Sequence, residues 1–560
     1  MNSKPETIDT MKHKTQIILN CEQLETRFAL LRNGRLEEYE IERFDEDEQL
    51  LAGSIYLGRV THLEKKLEAA FVDIGASKNA FLHYKDMLPA SYDMLDDIRH
   101  MEADSSMQKK NRKKGTVLSR VAERIRGLVG KTNKAQRLKE FETKLHSGKI
   151  TVKDIPRMFP ENSELLVQIT KGPIGTKGAR VTTNITIAGR YLVLLPYSDH
   201  IGLSSRIDDR KERDRLRKIL SKLDVPEGMG LICRTIGEGR STEEFEQDLA
   251  MLLKIWEHAT EALEENSAPV LVYKEPDLLE RTVRDFLTND IDEIIVDSPD
   301  AAKRLKADFA KFETFDTKII LSNRATPVFE RYNISGQVAA IFDRVVQLPG
   351  GGYICIDETE ALVAIDVNSG KNKNAKDQPE NILRTNLEAA EEIARQVRLR
   401  NVGGLVVIDF IDMKSQRDRD AVLHAMSKYI EPDRAKTRLL PISKFGLMEM
   451  TRQREHESVK DAVYDLCPYC EGSGRVKSPV SMSVEIQRKL KELLKKKAKN
   501  KRMSVRVIMH PTVLARLKND DAELLQELEE DYGKDLSFRA DPTMHMECFK
   551  LVDPETNLEY

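Results

Sequence analysis

Two segments of the chain run through apolar, largely β-branched residues and each delivers a carboxylate. They are Ala361-Leu-Val-Ala-Ile-Asp-Val-Asn-Ser-Gly370, with Asp366, and Gly404-Leu-Val-Val-Ile-Asp-Phe-Ile-Asp-Met413, with Asp409. Such runs read as buried strands. Between them, residues 381–400 place Ile382, Ala389, Ile393 and Val397 at helical spacing, and Gly403 and Gly404 stop the helix. Strand, helix, strand is a crossover unit, so the two strands are expected to run parallel. Ligand crevices in such sheets lie at the carboxyl ends of the strands. Two aspartates delivered there beside Asn368 would form a hard, oxygen-rich site suited to magnesium. A single strand-end aspartate usually caps or turns its strand; a matched pair in one crossover unit favours the metal site.

A second chemical feature is Cys467-Pro-Tyr-Cys470, followed by Glu471-Gly-Ser-Gly474. Two thiolates on one turn reach a single tetrahedral zinc ion. Zinc normally takes four protein ligands, and no second paired-cysteine motif exists here. Cys21, Cys233, Cys355 and Cys548 are scattered, mostly in apolar strands where buried packing is expected. A site shared between two chains, each giving two thiolates, would supply the missing pair. The rival readings are a redox pair and the repeated C-x-x-C-x-G-x-G module of some chaperones. A redox pair belongs at a helix start after a strand, and the chaperone module occurs in several copies.

The elements that must position these residues span 560 residues, too many for one core, so about three to five domains are expected. No apolar run is long enough to cross a bilayer, residues 1–14 lack a signal-peptide core, and the cytoplasm is the expected compartment. Six cysteines are too sparse for a disulfide framework. With a net charge of −3, nucleic-acid affinity would have to come from local patches, such as 109–114 and 489–502.

Residues 15–50 alternate apolar and polar positions around a hairpin turn at Asn33-Gly34. Short strands with glycine punctuation follow and suggest a small barrel. Phe71 and Phe81 would sit on its strands; aromatics on an exposed barrel face stack on bases, but periodicity alone favours core packing. A charged stretch at 95–157, with helices at about 117–128 and 135–145, reads as an insertion between barrel strands, most simply a solvated surface. Helices at about 208–223 and 242–266 and a strand at 230–235 come next. An α/β layer follows at 270–340, and a Lys-rich helix with a small α/β unit lies after Cys470. Gly350-Gly-Gly352 reads as a hairpin turn, since no Lys-Ser/Thr follows it as in a phosphate loop.

Taken in order, Ile365-Asp-Val-Asn-Ser-Gly370, Val407-Ile-Asp-Phe-Ile-Asp-Met413, Ile442-Ser-Lys-Phe-Gly-Leu-Met-Glu-Met-Thr-Arg-Gln-Arg454 and Cys467-Pro-Tyr-Cys470 closely resemble the ribonuclease E/G family. With no long disordered tail, the chain looks more like the ribonuclease G branch. The resemblance implies a multidomain α/β fold. Its parts are a split RNase H-like domain (15–50 with 270–341), an OB-fold RNA-binding barrel with the insertion (51–180) and a 5′-sensor domain (181–269). A DNase I-like catalytic domain (342–463), a zinc link (464–477) and a small domain (478–560) complete it.

It further implies magnesium at Asp366 and Asp409, with Asn368 near the scissile phosphate. Zinc at Cys467 and Cys470 would be shared in a homodimer, or in a dimer of dimers. Phe71, Phe81 and Lys177 would contact RNA, and Gly189, Val193, Arg234 and Thr235 would form the 5′-monophosphate pocket. One sensor-linked arginine of the family stands here as Lys436, and the 95–157 insertion is a second departure. The implied activity is hydrolysis of single-stranded RNA to 5′-phosphate and 3′-hydroxyl ends, in rRNA and tRNA processing and mRNA decay. A non-catalytic RNA-binding scaffold and a DNase are the alternatives.

Overall fold

The structure, a computed structural model, describes residues 14–43, 51–87, 152–173, 177–198, 200–310, 317–359, 361–370, 378–453, 458–496, 504–532 and 535–560. Most of the expected 95–157 insertion, with its two helices and the 109–114 patch, lies outside them. The chain divides into two compact units, 1–462 and 463–560.

In the first unit, β1 (Thr15–Cys21), β2 (Glu25–Arg32) and β3 (Arg35–Arg43) form an antiparallel meander. Asn33 and Gly34 both take positive φ, 53° and 78°, the conformation that Asn-Gly supplies to a two-residue hairpin. Then β4 (Ile55–Glu64), β5 (Ala69–Asp73), β6 (Ala80–His83), β7 (Glu164–Lys171) and β8 (Arg180–Thr182) close into a five-stranded, OB-like barrel as β7 pairs back onto β4. Closure leaves no free edge. Val72, Leu82, Leu165, Val167 and Val181 are among the residues that fill its core.

The next sheet joins β9 (Ile187–Ala188), β10 (Leu192–Pro196), β11 (Ile201–Leu203) and β12 (Met229–Cys233) in the order β11-β12-β10-β9. It packs on the helix Thr242–Glu265, whose start is fixed by a reciprocal Ser241–Glu244 capping box. Trp256 on that helix meets Tyr197 edge-on at 5.5 Å. The strand β10 begins at Leu192, two residues after Arg190, whose side chain is fully buried. The strand β13 (Val270–Tyr273) joins β4. Then β14 (Glu293–Val296) and β15 (Lys318–Leu321) extend the first sheet, with Ile17 beside Ile294 in a parallel pair.

The sheet carrying the two aspartates holds β16 (Val345–Gln347), β17 (Tyr353–Glu358), β18 (Leu362–Asn368), β19 (Gly404–Asp409), β20 (Thr437–Leu439) and β21 (Leu447–Arg452). Its order is β16-β17-β18-β19-β21-β20, and β18 and β19 are adjacent and parallel across the helix Gln378–Leu399. The 350–352 glycines turn the β16–β17 hairpin, Gly351 at φ +89°.

The expectation that β18 and β19 are buried on both faces is corrected. Val363, Ile365, Val367, Val406 and Ile408 enter one core with helices Gln378–Leu399 and Gln416–Ile430, while Ala364, Asp366 and Asp409 are exposed. Helices cover one face only. A buried ion pair, Arg452 Nε to Asp433 Oδ2 at 2.7 Å and Nη2 to Oδ1 at 3.0 Å, ties β21 to the turn before β20. Removing either partner of such a pair costs about 3–5 kcal/mol, since the other is left buried and uncompensated.

The second unit has β22 (Val505–Met509), β23 (Leu536–Ala540) and β24 (Phe549–Val552) in the order β23-β22-β24. The helix Pro479–Lys496 packs Met482, Ile486, Leu490 and Leu494 into its core. Of the expected 489–502 basic patch, 497–502 lies outside the described residues. Lys489 and Lys496 both pair with Glu492, which offsets part of the patch's charge. No helix among the described residues is long and apolar enough to cross a membrane.

Candidate active site

The parallel β18–β19 pair sets Asp366 directly opposite Asp409. Both carboxylates stand on the face that the helices leave open, and both are exposed. Asn368, two residues further along β18, shares that face, and its Nδ2 donates to Asp366 Oδ2 at 2.7 Å. This bond orients the Asp366 carboxylate. Partial burial, then the charges of Asp366 and Asp412, push the Asp409 carboxyl above its ordinary range.

Asp412 was not singled out from the sequence, although it stands in the same quoted segment, three residues after Asp409. A Cβ added to Gly446 would lie 3.2 Å from Asp412 Oδ1 and 3.9 Å from Asp409 Oδ1, so the β20–β21 turn presses against both. Among the described residues, no group of three or more His, Cys, Asp or Glu side chains is arranged to hold a metal ion. Two facing carboxylates still fit magnesium, which keeps several waters and commonly takes one or two protein carboxylates. Their mutual repulsion is the electrostatic strain that a divalent cation would relieve.

On the barrel, Phe71 and Phe81 are register partners on β5 and β6, with rings 6.1 Å apart at 76°. They are half-exposed and point away from the core that Ala70, Val72, Ala80 and Leu82 fill. The core-packing expectation for them is therefore corrected: strand alternation puts them outside. Lys177 is exposed, two residues before Ala179, whose carbonyl accepts from Phe81 N at 2.7 Å.

Gly189, Arg234 and Thr235 meet where β12 ends. Arg234 Nη1 donates to the Gly189 carbonyl at 2.6 Å, and Arg234 N to that of Tyr191 at 2.8 Å. A Cβ on Gly189 would stand 2.7 Å from Asp248, the buried carboxylate that accepts from the backbone of Arg190, Tyr191 and Leu192. Val193 pairs with Ile232 one step along the ladder.

The partner that sequence reasoning missed is Asp285. Its Oδ1 lies 2.7 Å from Arg234 Nη2, a part-buried ion pair. Arg284 Nη2 donates to Asp285 Oδ2 at 2.9 Å and Nη1 to Glu275 Oε1 at 2.7 Å, which completes two cations against two anions. No spacing in the sequence links 234 to 285. Lys436 is exposed; two residues before it, the Arg434 guanidinium lies 3.6 Å over the ring of Phe286, next to Asp285.

In the second unit Cys467 is exposed and Cys470 half-buried. Hydrogen bonds from the Cys470 and Tyr469 backbone, and from the Cys470 side chain, lower the Cys467 thiol pKa. Gly474 N donates to Cys470 Sγ at 3.3 Å, and Gly472 and Gly474 both take positive φ. Two thiols on one turn would supply two of the four ligands that zinc usually takes. Buried packing holds for Cys233 and Cys355 but not for Cys548, which is exposed just before β24.

The Ribonuclease E/G family profile matches residues 186–455, and its profile for the RNase E/G thioredoxin-like domain matches 466–554. Ribonuclease G of Salmonella typhimurium is 33% identical over 538 residues, 96% of this chain and 99% of that protein. Ribonuclease E of Haemophilus influenzae is 36% identical over 547 residues, 97% of this chain and 52% of that protein. Ribonuclease E of Escherichia coli is 37% identical over 485 residues, 86% of this chain and 40% of that protein. The chain thus spans about half or less of these ribonuclease E relatives and nearly all of this ribonuclease G relative. It belongs to the ribonuclease E/G family.

Proposed function

We propose that the protein is an endoribonuclease that hydrolyses single-stranded RNA at Asp366 and Asp409 with magnesium, leaving 5′-phosphate and 3′-hydroxyl ends. The carrying observation is the in-register carboxylate pair on an open sheet face, with Asn368 bonded to Asp366. Family membership supports RNA as the substrate class.

Asp366 and Asp409 would hold the ion, which supplies a Lewis acid for a phosphate oxygen and a more acidic bound water. Asn368 keeps Asp366 in its ligating rotamer. Water oxygen bonds to phosphorus, the P–O3′ bond breaks, and the departing 3′-oxygen takes a proton. Phe71, Phe81 and Lys177 would grip the strand by stacking and charge. Gly189, Val193, Arg234 and Thr235 would receive a 5′-monophosphate, the Arg234 guanidinium suiting a phosphate as its Nη2 suits one carboxylate oxygen of Asp285. We further propose zinc at Cys467 and Cys470 shared with a second copy, RNase H-like and DNase I-like bodies around the first and fourth sheets, and a cytoplasmic role in rRNA and tRNA processing and mRNA decay.

The test replaces Asp409 with Asn and compares cleavage and binding of one single-stranded RNA. The expected kcat/KM falls by at least ~100-fold, the upper range for disturbing a metal's surroundings, with RNA affinity nearly unchanged. Binding lost in parallel with cleavage contradicts the role given to Asp409. A wild type that binds RNA without cutting it favours a non-catalytic scaffold, and rapid cleavage of matched DNA favours a DNase.

A further inference from the structure

Phe445 is the most exposed large apolar side chain among the described residues, at 85%. Single exposed apolar residues are ordinary on protein surfaces, so exposure alone assigns nothing. Its placement adds a second fact. Phe445 lies on the tight turn before β21, where Ser443 N donates to the Leu447 carbonyl at 2.8 Å and Gly446 N to the Ser443 carbonyl at 3.1 Å. Ser443 Oγ accepts from both Phe445 N and Leu447 N at 3.3 Å. Gly446 is buried at φ +80° against Phe410, Asp409 and Asp412, a conformation and a closeness that only glycine tolerates well. Leu447 is itself the register partner of Asp409.

Adjacent α-carbons lie ~3.8 Å apart, so the Phe445 α-carbon is within ~9 Å of Asp409 Oδ1. The turn's hydrogen bonds thus fix the Phe445 backbone near Asp409, and its exposed ring projects from there. Its surroundings also select a partner. Exposed Lys444 precedes it, and Asp366, Asp409 and Asp412 stand nearby. An apolar protein surface would bury those charges unpaired, whereas a nucleotide brings a flat base for the ring and a phosphate for the lysine and metal.

We infer that Phe445 forms a nucleobase subsite: its ring stacks on a base next to the phosphodiester held at Asp366 and Asp409, and Lys444 meets the adjoining phosphate. The inference rests on the reading of that pair as the RNA-cleaving site. Stacking accepts any base face, so the subsite fixes the strand's path without fixing its sequence.

The experiment uses the full chain and one oligoribonucleotide, with each base flanking the cleaved bond replaced in turn by an abasic residue. At one position the wild type is expected to lose roughly tenfold in kcat/KM, the scale of one aromatic–base stack. Phe445→Ala and Phe445→Leu are expected to be slower on intact RNA by a similar factor and indifferent to that abasic position. Phe445→Trp should retain both rate and sensitivity. Unchanged thermal midpoints establish that the exposed substitutions leave the fold intact. Wild-type rates in Phe445→Ala, or an unaltered abasic profile, overturn the subsite while leaving the nuclease in place. No cleavage by the wild type removes the underlying reading, and the subsite with it.

Discussion

Arg234 illustrates how one residue's neighbours decide what it can do. Its guanidinium faces Asp285, which Arg284 also binds, with Glu275 beyond. Burial pushes the Asp285 carboxyl up, but Arg284 and Arg234 more than offset it and hold it down to about 2. In the unfolded chain this carboxyl titrates at about 3.9. A depressed carboxyl adds stability that is complete above the unfolded value and lost as pH falls through the folded one. Asp285→Asn should therefore lower the thermal midpoint at pH 7, with the gap to wild type closing between about pH 4 and 2. A gap constant across that window would show that the pairing is not what Asp285 contributes. At this scale the meeting of Asp366 and Asp409 was legible in the sequence, because one crossover unit sets both strands side by side. Asp285 and Asp248 were not, because an ion pair or a carboxylate capping a distant loop leaves no mark in local spacing.

At the scale of elements, the crossover unit was legible and its burial was not. Outward positions on β18 and β19 are often apolar too, Leu362, Ala364, Leu405 and Val407 among them, and they mask the alternation of a sheet covered on one side. Periodicity alone assigns Phe71 and Phe81 to the core; only the strand register, which pairs them on β5 and β6, settles that they face outward. On the proposed zinc reading, the cysteine turn would reach beyond one chain. Its two thiols would make half a tetrahedral site, so replacing Cys467 and Cys470 together with Ser should halve the mass in solution, as sedimentation would measure. A dimer that persists without these thiols contradicts a shared zinc.

For the molecule as a whole, a net charge of −3 places RNA affinity in local surfaces, and the candidate surfaces lie on separate sheets of the first unit. The first sheet draws on residues 15–43 and 293–321, with the barrel and the Arg234 sheet folded from the chain between them. Such pairing between distant segments cannot be read from periodicity; only the resemblance to a family suggested it. The fold brings Asp366 to Asp409, Phe71 to Phe81, and Arg234 to Gly189. On the proposed function, these surfaces serve one magnesium-dependent cut in RNA. The most direct measurement is cleavage of one fluorescent single-stranded RNA, with 5′-monophosphate or 5′-hydroxyl, first with magnesium and then with EDTA. Magnesium-dependent internal cleavage that is faster with the monophosphate is the expected result; cleavage undiminished by EDTA would contradict a metal-dependent cut at Asp366 and Asp409.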